Sequence, residues 1–88
     1  MNTETFIAQI AAASIEALYG AVDASQIQIQ KTRKEFEGDY TLVTFPLLKL
    51  SRKAPEATAN EIGEHIVKNN PTISSYNVIK GFLNLSIA

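Results

Sequence analysis

At 88 residues the chain is one small domain, residues 1–88, or a piece of a longer protein, since domains run to about 100–200 residues. Hydrophobic residues at 45% and charged residues at 19% form an ordinary globular balance and exclude intrinsic disorder. With 0 Cys, one His and a net charge of −1, a disulfide frame, a thiol nucleophile, a structural zinc site and a strongly basic nucleic-acid surface are all excluded.

The chain opens with a helix. Ile7, Ala11, Ile15 and Leu18 recur at i, i+4, i+8 and i+11, and Phe6, Ile10 and Ala17 widen the stripe. Asn2 or Thr3 caps it, Glu4 suits the positive end of the dipole, and Gly20 stops it. The start carries no Lys or Arg, and its apolar residues are spaced, which is not a secretory leader. Purely apolar runs such as 45–48 fall far short of the roughly 20 residues a bilayer requires, so no membrane partner is expected and a cytoplasmic location fits.

Residues 26–31 alternate polar and apolar, a half-buried strand with Ile27 and Ile29 inward and Gln28, Gln30 and Thr32 outward. Residues 31–39 are charged around one aromatic, Phe36, and read as a solvated connection ended by Gly38-Asp39. The stretch 40–50 is apolar nearly all round. Thr41, Val43 and Thr44 favour a strand. Asp39 as a cap, with Val43, Leu47 and Leu50 at helical spacing, favours a helix that kinks or restarts at Pro46, because an interior proline costs about 3 kcal/mol. The helix is the adopted expectation.

Pro55 and Glu56 then start a second long helix, whose face carries Ala59, Ile62 and Ile66 with Val67 beside them. Lys68 suits its C-terminal end and Asn69-Asn70-Pro71 stops it, while His65 reads as a solvated surface residue. Two strands, 73–79 and 82–87, pair as a hairpin through Gly81. The expected class is α+β, a small antiparallel sheet of about three strands with helices packed on one face.

Period two in the last strand carries the functional argument. Leu83, Leu85 and Ile87 share the core face, so Phe82, Asn84 and Ser86 share the other. A ring and a carboxamide two residues apart on a solvent-facing sheet can stack on an unpaired base and bond its edge, and Lys80 just upstream can touch a phosphate. The competing reading is that Phe82 covers a neighbouring domain. Residues 31–53 hold six basic side chains (Lys31, Arg33, Lys34, Lys49, Arg52, Lys53) against three acidic (Glu35, Glu37, Asp39). The near-neutral total therefore conceals a polarised molecule, with Lys34, Lys49, Arg52 and Lys53 as candidate phosphate contacts.

Phe36-Glu37-Gly38-Asp39-Tyr40, the run ending Leu47-Leu48-Lys49-Leu50, Ala54-Pro55-Glu56, and Ile79-Lys80-Gly81-Phe82-Leu83-Asn84-Leu85 follow one another in an order that resembles the N-terminal domain of arginyl-tRNA synthetases. Departures are Glu37 between the aromatic and the glycine, and Ile79-Lys80-Gly81 where the family commonly has Gly-Pro-Gly. The resemblance implies an appendage that binds the D-loop at the outer corner of tRNA, with Phe82 and Asn84 at the two base-holding positions. It also favours the helix at 40–50, and it implies tRNA and the remaining synthetase domains as partners. ATP and Mg²⁺ would serve the parent ligase; no catalytic residue, cofactor site, metal or activity is expected of this stretch by itself. Two alternatives stand beside it. One is a protein–protein or interdomain docking module. The other is a stand-alone KH-like RNA-binding domain, weakened because Ser51-Arg52-Lys53-Ala54 lacks the Gly-x-x-Gly clamp.

Overall fold

The computed structural model describes residues 2–88. Helix α1 spans Thr3–Tyr19; Asn2 caps it, its Oδ1 accepting from the Thr5 N–H at 2.7 Å. Ile7, Ala11, Ser14 and Ile15 are buried, whereas Leu18 is exposed. The apolar stripe thus continues through Ser14 rather than through Leu18. After a 3₁₀ turn at Ala24–Gln26, strand β1 runs Gln28–Lys31 and strand β2 runs Tyr40–Val43.

Strand β2 corrects the helix expected at 40–50. Leu42 is fully buried between Ile29 of β1 and Leu83 of the last strand, while Thr41 and Val43 take the opposite face. A strand places β-branched residues where they pack well, and it spares the chain a proline in mid-helix. Pro46 instead falls within a 3₁₀ turn, Phe45–Leu47, where its missing N–H costs little. The short helix α2, Leu48–Ser51, follows and ends at Arg52 in the left-handed conformation (φ 57°). The restart near Pro46 is therefore real, but the residues before it are sheet. Asp39 does not cap a helix: its N–H donates to the Leu85 carbonyl at 2.8 Å and its Oδ2 accepts from the Ile87 N–H at 2.7 Å, tying the start of β2 to the last strand.

Helix α3, Pro55–Asn69, opens with proline at the first position and buries Thr58, Ala59, Ile62, Gly63 and Ile66. Gly63 is where the helix meets the sheet. A Cβ there would lie 2.5 Å from the Tyr76 ring and 2.8 Å from Leu83, so only glycine permits this approach. His65 is half-buried rather than solvated, its Nδ1 2.8 Å from the Ser14 hydroxyl, joining α3 to α1. Strands β3 (Ile73–Ile79) and β4 (Phe82–Ile87) form the expected hairpin across Lys80-Gly81. Both turn residues have positive φ (50° and 83°), the twist that a two-residue hairpin needs.

The sheet has four antiparallel strands in the order β1-β2-β4-β3, one more than expected. Helices α1 and α3 pack on one face, contributing Ile7, Ala11, Ile15, Ala59, Ile62 and Ile66 against Leu42, Leu83 and Leu85 of the sheet. The class is α+β, and among the described residues neither α1 nor α3 covers the other face of the sheet.

Candidate nucleic-acid interface

The helix-free face follows from the strand register. Directly opposed residues of neighbouring strands share a face, so Gln30, Thr41, Asn84 and Asn77 make one row across all four strands. Gln28, Val43, Phe82 and Ile79 make the adjoining row. One row is amide and hydroxyl, while the other is largely apolar with a ring at its centre. Phe82 and Asn84, spaced two apart in β4, fall in the second and first row respectively, as the alternation predicted.

What the alternation did not show is the cover. The connection 32–39 turns back over the polar row, with the Phe36 N–H bonded to the Arg33 carbonyl at 3.0 Å. Gly38 (φ 131°) lies so near that a Cβ would be 3.0 Å from the Asn84 Cβ and 3.2 Å from the Thr32 hydroxyl. Asn84 is consequently only 2% exposed, not solvent-facing. Its Oδ1 accepts from the Thr41 hydroxyl at 2.6 Å, and Thr41 lies 2.9 Å from the Thr32 hydroxyl. Its Nδ2 is sealed from solvent and has no hydrogen-bond partner. A buried donor left unmade costs about 1–3 kcal/mol.

Beside that amide is a cavity of about 280 Å³ lined by Gln30, Arg33, Phe36, Thr41, Ile79, Lys80, Phe82 and Asn84. Its wall combines two aromatic rings, two cationic side chains and the unpartnered carboxamide. Phe82 is half-buried and meets the Phe45 ring edge-on (centroids 5.7 Å apart, planes at 80°), and Phe45 is 48% exposed. Thr44 holds the hairpin in place by donating to the Gly81 carbonyl.

Of the cationic residues singled out by sequence, only Lys80 lines the cavity. Lys34 is exposed on the covering connection, while Lys49, Arg52 and Lys53 lie on α2 and the turn after it, away from the cavity wall. Lys53 is paired with Glu61, the one ion pair among the described residues. Glu61 also accepts from the Tyr19 hydroxyl; hydrogen bonds from Lys53 and then Tyr19 hold its carboxyl below the usual range. Burial, reinforced by Glu61, pushes the Tyr19 phenol up. Sequence reasoning named Arg33 only as a member of the basic zone 31–53, and it missed Phe36, Gln30 and Thr41 as cavity residues. A strand at 40–43 would have revealed Thr41 as Asn84's neighbour; nothing in the charged run 31–39 signals that it folds over the sheet.

The fold is a helix-backed antiparallel sheet whose open face carries a cavity lined by aromatic and amide side chains and edged by cations. Among the described residues no helix is long and apolar enough to cross a membrane, and no group of three or more His, Cys, Asp or Glu side chains could hold a metal ion. Residues 4–87 match the family of the arginyl tRNA synthetase N terminal domain, and the chain belongs to that family. It is 60% identical over 77 residues to the arginine–tRNA ligase of Parabacteroides distasonis, covering 86% of this chain and 13% of that protein. It is 53% identical over 89 residues to that of Bacteroides fragilis, covering 100% of this chain and 15% of that protein. The chain thus spans only a small fraction of the length of these relatives. The fold is also that of a segment of Thermus thermophilus arginyl-tRNA synthetase, with a TM-score of 0.80 at 21% identity over 99% of this chain and 14% of the other.

Proposed function

We propose that this domain serves an arginine–tRNA ligase by holding one unstacked base of the tRNA D-loop in the cavity on the open face of the sheet. Phe82 supplies the stacking surface, Phe36 the opposing wall, and Asn84 the polar contact to the base edge. Arg33 and Lys80, at the rim, meet the phosphates on either side; Lys34 extends that cationic edge. Lys49, Arg52 and Lys53 do not line the cavity and are assigned at most to flanking backbone.

The observation that carries this reading is a cavity on the open face of the sheet lined by the Phe36 and Phe82 rings and edged by Arg33 and Lys80. A nucleotide offers a flat face for the rings and flanking phosphates for the cations, so one ligand answers both features. Joining arginine to tRNA with ATP and Mg²⁺ would belong to other parts of the ligase, and no step of that chemistry passes through residues of this chain.

The test is a titration of tRNA(Arg) with the chain and its Phe82→Ala and Asn84→Ala variants. Loss of the stacking ring weakens binding by about 1–3 kcal/mol. Loss of the amide weakens it by about 0.5–1.5 kcal/mol. Undiminished binding in both variants would overturn the proposal. Docking on another domain is the competing reading, favoured by the exposed Phe45 ring adjoining Phe82. It predicts that tRNA leaves the NMR signals of Phe82 and Asn84 unmoved, whereas base binding shifts both.

A further inference from the structure

The cavity leaves one ring beside it unused. Phe45 meets Phe82 edge to face but does not line the cavity. At 48% exposed it stands further into solvent than Leu18 or Phe36, the other large apolar residues on the surface. It is nonetheless held in place. Thr44 before it is fully buried and donates to the Gly81 carbonyl, and Leu47 after it is fully buried. Pro46, between them, restricts the backbone of the 3₁₀ turn that Phe45 begins. The hairpin tip closes on the same ring, since a Cβ on Gly81 would lie 3.3 Å from the Phe45 Cζ and 2.7 Å from the Pro55 Cβ.

The residues that follow share its outlook. Through the 3₁₀ turn and α2, Phe45, Lys49 and Arg52 are exposed at i, i+4 and i+7, while Leu47 and Ser51 are buried. That spacing sets the three along one side of a helical segment. Residues 40–55 contain no Asp or Glu, and Lys53, the third cation there, is paired with Glu61. Lys80, next to Gly81, lines the cavity and joins it to this stripe. An exposed ring flanked by cations suits a single-stranded nucleic acid, whose bases stack on rings and whose phosphates meet the positive charge. It suits a protein partner less well, because protein interfaces are depleted of Lys.

We infer that Phe45, Lys49 and Arg52 form a second nucleotide subsite, which takes the RNA nucleotide next to the one held in the cavity. Its base stacks on Phe45, and the backbone leading away from the cavity passes Lys49 and Arg52. The inference rests on the base-binding reading above and adds to it a second base and the direction in which the RNA leaves. It also gives a role to two cations that the cavity does not use.

The experiment titrates tRNA(Arg) transcripts carrying single abasic D-loop positions with the chain and its variants, and reads the ratio of abasic to natural dissociation constants. In the unaltered chain two neighbouring positions matter, each with a ratio of about five or more. Phe82→Ala brings the ratio to about one at the first, which is the cavity position. Phe45→Ala does so at its neighbour and leaves the cavity ratio high, whereas Phe45→Tyr, which keeps a ring, preserves both. Lys49→Gln weakens every transcript alike, since a phosphate contact does not depend on the base. Should Phe45→Ala not fold, Phe45→Leu keeps bulk against Phe82 and supplies the same readings. A single sensitive position overturns the second subsite while leaving base binding intact. Loss of both ratios together in the Phe45 variants also overturns it, because the ring would then only prop Phe82. If no abasic position weakens binding to the unaltered chain, the base-binding reading itself fails and the inference falls with it.

Discussion

The two faces of the sheet are built from the same strands but on different rules. On the helix-backed face, Leu42, Leu83 and Leu85 are fully buried against Ile7, Ile15, Ile62 and Ile66, all apolar. On the open face, the residues one step along the same strands are Thr41, Asn84 and Phe82, and burial there leaves a polar atom unpartnered. A core gains by excluding every polar group that cannot be bonded. The open face departs from that rule at one atom, the Asn84 Nδ2, in a residue that lines a cavity with two rings. The period-two alternation of a strand lets one segment build two unlike faces, since a change on one face need not disturb the other.

The largest expected effect of a single substitution comes from the helix-backed side. Leu42→Ala removes a fully buried side chain from the central strand and should destabilise the domain by about 2–5 kcal/mol. That is a large share of the total for a domain whose stability is about 0.05–0.15 kcal/mol per residue. Urea denaturation checks it. A loss below about 1 kcal/mol would mean that residue 42 does not sit between β1 and β4 as described.

Gly38→Ala acts on the other side. Its φ of 131° and the 3.0 Å approach to Asn84 leave no room for a methyl group without moving the covering connection. The cost should be about 1–3 kcal/mol of strain, relieved by lifting residues 33–38 off the sheet. Binding of tRNA should weaken more than folding does, because the displaced residues carry Arg33 and Phe36 into the cavity wall. Parallel denaturation and tRNA titration separate the two effects; equal losses would show that the cover has no part in the site.

These two positions also show how far sequence alone reaches. Helices α1 and α3 and strands β1 and β4 were legible because each sets its apolar residues on one face, which imposes a period of 3.6 or 2 on the sequence. Strand β2 was not, because the 40–50 run is apolar on every side and both periods fit it. Pairing with β1 and β4, which only the folded chain shows, decides the matter. For the site, the spacing of Phe82 and Asn84 gave the correct face of the sheet. The burial of Asn84 was hidden because its cover is a charged segment, and charge in a connection ordinarily signals exposure. Arg33 and Phe36 enter the site through that fold-back and through no motif of their own.

A smaller effect distinguishes cavity-lining cations from the rest. Arg33 and Lys80 line the pocket, whereas Lys49 and Arg52 do not. Replacing a phosphate contact weakens binding across all sequences and reduces the slope of log K against log salt by about 1. Arg33→Gln and Lys80→Gln should each show that reduction, and Lys49→Gln and Arg52→Gln should show less. Equal slopes for all four would mean a diffuse electrostatic footprint in place of a rim around one nucleotide.

The smallest effect lies away from both faces, at the cluster joining α1, α3 and the turn before α3. Glu61 accepts from Lys53 and from Tyr19, and these bonds hold its carboxyl below the ordinary glutamate range. A depressed folded-state pKa means that the unfolded chain takes up a proton first as pH falls. The stabilisation is therefore fully present above the ordinary glutamate value and is lost as pH drops through the lower, folded value. At the alkaline end the sign reverses: Tyr19, raised chiefly by burial, keeps its proton in the folded state after the unfolded chain has released it. Stability should then decline as pH rises past the ordinary tyrosine value. Glu61→Gln should flatten the acid limb of the stability profile while leaving tRNA affinity unchanged, because none of the three residues lines the cavity. A fall in tRNA affinity in that variant, with folding intact, would extend the recognition surface onto the helical side and undo the division of labour between the two faces.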